Sequence, residues 1–221
     1  MSRPSFTQIA SGKNLPNQPT LEVLTTHLGY RHRLPYLAKL LGDARKRATG
    51  PRLDGIARHG ELAIGLYQTA TKIVAFDTYL VNPALRARAY SSALHAFPVR
   101  ICQTSEVTWY VDESVLLRTI GNATVMRDQY THLAAALDNH RVTVQIVSSE
   151  HLPPGLTGAF TLFELDNHSI VYEETNSIAI YHDAPEIIES YRAHVSAVDS
   201  RALEKLKSRA FIDALIAGAS N

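Results

Sequence analysis

Cysteine is almost absent from this chain of 221 residues: Cys102 stands alone, so no disulfide can form within the chain. A lone thiol fits a reducing compartment, and the expected location is the cytoplasm. No apolar run approaches the roughly 18–20 residues a membrane span needs, and the first thirty residues lack the apolar stretch of a signal peptide. No glycine-rich phosphate loop, dinucleotide fingerprint or G-x-S-x-G elbow occurs. The ten histidines include no H-E-x-x-H, and one cysteine cannot make a C-x-x-C. No metal and no cofactor is therefore expected. Charge is sparse at 19%, whereas hydrophobic residues reach 45%, which excludes a disordered chain and leaves ample material for a packed core.

Net charge is nearly absent too, at +1, but the total hides a division. Residues 1–53 hold nine basic side chains and two acidic ones, Glu22 and Asp43, a net of +7; the remainder carries −6. A segmental asymmetry of this size suggests a part that faces a polyanion joined to a part with another task. The division predicts two domains: residues 1–53, a helical segment, and residues 54–221, a larger mixed domain.

The basic segment reads as three short helices. Ser2-Arg3-Pro4-Ser5 opens the first, Phe6, Ile9 and Ala10 share one face, and Ser11-Gly12 ends it. Thr20 is placed to cap a second, carrying Leu21, Leu24 and Leu28 inward. A third runs from Leu34 to Arg47 with Leu37, Leu40 and Leu41 as its apolar stripe, and Thr49-Gly50-Pro51 reads as a linker. Beyond it, Ile56, Ala63, Leu66, Ile73 and Phe76 recur at helical intervals, so Asp54 to Tyr79 reads as mostly helical, followed by a helix from Pro83. Strands are expected at Val107–Val111, Val142–Val147, Ala159–Leu165 and Ile170–Glu174, with a short one at Ile178–Tyr181. Helices are expected near Thr124–Leu137, Ala184–Val198 and Ser200–Ala217. Helices, a small sheet, then helices again favour an α+β fold over a doubly wound one.

Two carboxylate pairs, Asp112-Glu113 and Glu173-Glu174, each lie at a strand end. If those ends converge, one member of each pair could serve as general acid or base in a common cleft; the structural alternative is solvated strand ends, or Asp112 as a helix cap.

Several blocks in the larger domain carry a family resemblance. They are Tyr110 to Arg118 with Gly121, Val125-Met126, Gln129 and Leu133; then Val142 to Val147; then Pro154 to Leu162; then Ile170 to Glu174; and then Pro185-Glu186 to Tyr191-Arg192. In this order they resemble actinobacterial regulators in which a helix-turn-helix of the XRE type precedes an antitoxin-like domain of unknown function. Ser2 to Pro16 is similar to the recognition helix of that family and the turn after it. Because the family carries two helices ahead of this one, the resemblance implies a truncated helix-turn-helix, a remnant starting at its recognition helix. The segment Val81 to Tyr90 keeps only the frame and Tyr90 of the corresponding family block.

The resemblance implies a DNA-binding transcriptional regulator. Ser2, Arg3, Ser5, Thr7 and Gln8 would enter or flank the major groove, and Lys13 would touch phosphate. The resemblance further implies a small neighbour-encoded protein as partner; duplex DNA, a small-molecule ligand of the second domain and a second copy of the chain in a homodimer are the other expected partners. The alternative is a cofactor-independent enzyme, performing cyclisation, isomerisation or addition by acid–base chemistry, or a small-molecule binder evolved from such a regulator. Its pocket would use Trp109, Tyr110, Glu113, Tyr172, Glu174, Tyr181 and His182, which lie on or beside strands. A third reading is an interaction module that binds only its protein partner.

Overall fold

The computed structural model describes residues 3–10, 14–45, 52–55, 61–96, 99–156, 158–175 and 178–219, with backbone alone at 3–5, 43, 52–55 and 61. The chain divides into two compact units, Met1–Gly50 and Pro51–Asn221.

The first unit is helical: α1 (Arg3–Ala10), α2 (Gln18–His27) and α3 (Leu34–Arg45), with a 3₁₀ turn at Arg31–Arg33 leading into α3. Asn17, not Thr20, caps α2: its side chain accepts the Thr20 N–H at 2.9 Å, and Pro19 then sits in the first turn, where a missing N–H costs nothing. Arg45 donates to the Pro16 carbonyl at 2.8 Å and ties the end of α3 to the turn before α2. Thr25, Tyr36 and Leu41 are buried, whereas Leu28, expected to face inward, is exposed, as is Phe6. Leu28 is the C-cap of α2 and has already left the helical face that would have buried it. Ser11-Gly12 and Thr49 to Pro51 lie outside the described residues.

The second unit is an α+β structure built on one mixed sheet. Its strands are β1 (Arg52–Gly55), β2 (Lys72–Asp77), β3 (Glu106–Asp112), β4 (Val142–Val147), β5 (Phe160–Glu164), β6 (Ser169–Glu174) and β7 (Ile178–His182). They are ordered β1-β7-β6-β5-β2-β3-β4. β2, β3 and β4 are parallel to one another, while every other pairing, including β2 with β5, is antiparallel. The helices are α4 (Glu61–Thr69), α5 (Arg88–Ala93), α6 (Glu113–Leu117), α7 (Ala123–Leu137), α8 (Pro185–Asp199) and α9 (Lys205–Gly218).

The expectation of helix through Asp54 to Tyr79 is corrected here. Arg52–Gly55 and Lys72–Asp77 are strands, and the sheet is larger than the sequence suggests. β2 lies between β5 and β3 and is covered on both faces, so Ile73, Val74, Ala75 and Phe76 are all buried. A strand buried on both faces shows no alternation, and its Ile73 and Phe76 happen to fall at helical spacing.

Side chains alternate across the sheet into two cores. Ile73, Ala75, Val107, Trp109, Val111, Phe163, Tyr172 and Tyr181 pack with Leu66 and Tyr67 of α4, Tyr90 of α5, Leu133 of α7 and Ile212 of α9. Val74, Phe76, Tyr110, Phe160, Leu162 and Val171 pack on the other face with Ile188 and Val198 of α8. The outer edge of β4 is not left bare. Leu203 N–H donates to the Ile146 carbonyl at 2.7 Å, and the Ser208 hydroxyl accepts the Ile146 N–H at 3.1 Å.

One buried polar side chain fixes a loop over the first face. Gln129 of α7 is fully buried; its Oε1 accepts the Ala87 N–H at 2.8 Å and its Nε2 donates to the Leu85 carbonyl at 2.9 Å. These two bonds clamp the backbone on either side of Arg86. Among the described residues no helix is long and apolar enough to cross a membrane. Gln129→Leu keeps the volume but strands a buried N–H and a buried carbonyl, so a loss of roughly 2–4 kcal/mol in urea unfolding is expected. An unchanged midpoint would contradict the clamp.

Candidate functional site

The parallel run of strands puts the ends of β2 and β3 on one edge of the sheet, and β6 runs the same way through two antiparallel steps. Beside that edge, on the face covered by α4, lies a cleft of about 420 Å³. Its polar wall comes from Tyr67, Asp77, Asn82, Arg86, Thr161, Tyr172 and Glu174, and its apolar wall from Tyr79, Leu80, Pro83, Leu94 and Phe160. Such a mixture of apolar walls and a few convergent polar groups is the usual make-up of a small-molecule site.

Asp77, the last residue of β2, anchors the polar wall. Its Oδ2 accepts the Trp109 indole N–H at 2.7 Å and the Asn82 amide N–H at 3.0 Å. Its other oxygen, Oδ1, has no hydrogen-bond partner among the described residues. Asn82 is buried and fully engaged: its Oδ1 accepts the Ala84 N–H at 3.1 Å, capping the 3₁₀ turn Pro83–Leu85, and the Tyr67 hydroxyl at 3.3 Å. The Tyr67 hydroxyl also lies 3.4 Å from that of Thr161. Arg86 spends its Nε on the Val81 carbonyl at 2.7 Å. Tyr172 hydrogen-bonds to the Glu174 carboxylate, and its ring sits 5.2 Å from that of Tyr181.

Burial pushes the Asp77 carboxyl up to about 6, against the pull of the Asn82 and Trp109 hydrogen bonds and of the Arg86 charge; Glu174 adds to the rise. Burial is likewise the main cause that raises the hydroxyls of Tyr67 and Tyr172 above the ordinary tyrosine range. A desolvated carboxyl that titrates near neutrality can hold or release a proton, or pair with a cation.

Of the residues singled out in the sequence, Tyr172 and Glu174 line the cleft. Trp109 is fully buried beneath it and acts through Asp77, while Tyr181 packs behind Tyr172 and accepts the Ala63 N–H at 3.3 Å. Tyr110 and His182 lie on the opposite face. Tyr110 donates to Asp199 of α8 at 2.7 Å, and His182 Nε2 pairs with Glu173 at 2.9 Å and stacks on Tyr191. Successive strand residues point to opposite faces, so Trp109 and Tyr110 cannot share one cleft, nor can Tyr181 and His182. Glu113 starts α6 and is occupied by the Ser148 hydroxyl and the Ser149 N–H, both at 3.0 Å. Asp112 caps that helix through the Ser114 N–H at 2.8 Å. The ends of β3 and β6 are separated by β5 and β2, a gap of about 14 Å, so the two carboxylate pairs do not meet. Asp77 stands between them, and sequence reasoning missed it. The available signal was a β-branched run, Ile73-Val74, closing on an acid and followed by the Asn82-Pro83 cap.

In the first unit, Arg3, Ser5, Thr7 and Gln8 lie on α1; Thr7 and Gln8 are exposed, and Gln8 accepts from the Asn14 amide at 2.6 Å. Ser2 and Lys13 lie outside the described residues. Among the described residues no group of three or more histidine, cysteine or acidic side chains is arranged to hold a metal ion.

The Asp77 environment has a measurable linkage. Because folding raises this carboxyl from 3.8 to about 6, the folded state holds the proton more tightly. Its contribution is complete below the unfolded value and is lost as pH rises through the folded one. Asp77→Asn does not titrate, so its stability relative to the native chain should grow by roughly 2–3 kcal/mol between about pH 4 and about pH 8. Urea unfolding at the two pH values measures this; a difference independent of pH would remove Asp77 from the account.

No curated protein matches the chain. Among solved structures the chain is similar to TrmBL2, an archaeal chromatin protein described as showing a novel mode of DNA binding. That likeness has 7% identity and a TM-score of 0.39 over 82% of this chain, and the chain spans 64% of that protein. It is also similar to Nuc from Salmonella typhimurium, a phospholipase D family member, with 12% identity and a TM-score of 0.40 over 70% of this chain and 97% of that one. Scores this low carry no argument about function. Residues 99–214, more than half of the chain, match the family described as "Domain of unknown function (DUF5753)". The chain belongs to the DUF5753 family.

Proposed function

We propose that this protein is a transcriptional regulator of the XRE-like, antitoxin-like kind, whose basic helical segment contacts duplex DNA and whose α+β domain receives a small ligand. The observation that carries the reading is the union, in one chain, of a +7 helical segment with a domain that holds a polar cleft around a desolvated carboxyl. Cationic side chains on short helices supply the sequence-independent part of DNA affinity, and exposed polar residues such as Thr7 and Gln8 supply groups that can read base edges. The antitoxin-like resemblance adds a small neighbour-encoded protein as partner, with the chain in the cytoplasm as a homodimer.

The electrostatic term gives the test. Binding of a fluorescent duplex, followed by anisotropy, should weaken linearly on a log–log plot as salt rises. Lys13→Gln should weaken binding to all sequences alike and reduce that slope by about 1, whereas Gln8→Ala should alter sequence preference. Absence of any DNA affinity at about 50 mM salt, where a protein with several phosphate contacts binds measurably, would end the regulator reading.

One observation favours a second reading. A carboxyl raised to about 6 beside two buried tyrosine hydroxyls is suited to cofactor-independent acid–base chemistry, the enzyme alternative. There Asp77 takes the role that the sequence alone assigned to Glu174 and His182.

A further inference from the structure

The cleft carries both signs of charge without neutralising them internally. Asp77 uses one carboxyl oxygen on Trp109 and Asn82 and leaves Oδ1 unpartnered among the described residues. Arg86 uses one guanidinium nitrogen on the Val81 carbonyl. No ion pair joins Arg86 to Asp77, although both line the cleft and the Arg86 charge acts on Asp77. Neither group is free to swing toward the other. Asp77 is held at the strand end by two donors, and Arg86 is held by its own Nε bond and by the Gln129 clamp on the residues flanking it.

Two fixed, opposite and unpaired charges in one partly desolvated cleft are costly unless a third species pairs with both. A purely cationic ligand would satisfy Asp77 but repel Arg86, and an anion would do the reverse. The remaining walls are aromatic and aliphatic, formed by Tyr79, Leu80, Pro83 and Leu94, while the Phe160 ring packs on the opposite face against Tyr191. The Arg118 guanidinium lies 4.0 Å over the Tyr79 ring, which adds a second positive charge beside that wall. The volume, about 420 Å³, suits a molecule of one ring and a short side chain.

We infer that the cleft binds a small aromatic zwitterion, its ammonium group on Asp77 with Glu174 nearby, its carboxylate on Arg86, and its ring against Tyr79 and Pro83. This rests on the reading of the cleft as a ligand site, and it names the chemical class of that ligand.

Three probes that differ only in charge separate the possibilities: phenylalanine, phenethylamine and 3-phenylpropionate, titrated calorimetrically into the full chain. The expected result is saturable binding of phenylalanine, with the amine and the acid each about tenfold weaker or more. Asp77→Asn and Arg86→Gln should each lower phenylalanine affinity by about tenfold, with Arg86→Lys recovering part of the loss. Far-UV circular dichroism of each variant separates a lost contact from a lost fold. Phenethylamine binding as tightly as phenylalanine would replace the zwitterion by a simple cation, and equal binding of 3-phenylpropionate would replace it by an anion; either overturns the proposal. Failure of all three probes to bind also overturns it. DNA binding measured on the same preparation stands apart: if it persists while the probes fail, only the ligand class is lost, and if it is absent while phenylalanine binds, only the regulator reading is lost.

Discussion

The hydrogen bond from the Trp109 indole to the Asp77 carboxylate, 2.7 Å long, is the constraint on which the second unit's functional face depends. It links adjacent parallel strands across their side chains, near the level at which both leave the sheet. It also holds a carboxylate where water is scarce. That placement is stable only because Asn82 supplies a second donor, and Asn82 can do so only because its own oxygen caps the turn that follows. The turn in turn positions Leu85, Arg86 and Ala87, which Gln129 fastens to α7 from the far side. A chain of buried polar groups thus runs from the central strands to the cleft wall. Each member is satisfied except where the cleft opens, which is the arrangement expected when unsatisfied capacity is reserved for a ligand rather than left by poor packing.

The elements legible in the sequence carry a less buried face, a strong punctuation signal or, as in β3 and β5, a cluster of β-branched and aromatic residues. α7 and α8 show helical spacing with a cap or an initial proline, and β4 and β7 alternate because one side of each is less buried. β2 was hidden because Ile73 and Phe76 continue the helical spacing of Ile56, Ala63 and Leu66, and the candidate site's anchor, Asp77, was hidden with it. Tyr172 and Glu174 were found because an acid and an aromatic at a strand end mark a sheet edge. Tyr110 and His182 were grouped with them by proximity in sequence, although a strand sends neighbours to opposite faces. Glu113 belongs to a third class: a carboxylate at the same edge of the sheet but outside the cleft lining, with its Oε1 held by Ser148 and Ser149. Only its partners, remote in sequence, reveal that.

The charge division acquires a physical content from the structure. Part of the negative charge of the larger segment is spent in pairs that serve the fold, such as Arg192 with Glu164 and Glu189, or Arg209 with Asp138 and Asp213. Exposed pairs of this kind contribute little to stability. Asp77 and Glu174 are different in kind, since they face a cleft and their mutual repulsion helps to raise Asp77. Among the described residues of the basic segment, Thr25, Tyr36 and Leu41 are buried, while Thr7 and Gln8 lie on the surface.

The chain contains one tryptophan, so its indole N–H gives one signal in a proton–nitrogen correlation spectrum. That proton is the one donated to Asp77. The account requires the signal to follow a single titration with its midpoint near the Asp77 value of about 6. It also requires that transition to vanish in Asp77→Asn while the signal itself remains dispersed. A midpoint at the ordinary aspartate value of 3.8, or a transition that survives the substitution, would show that Asp77 is not the desolvated anchor of the cleft.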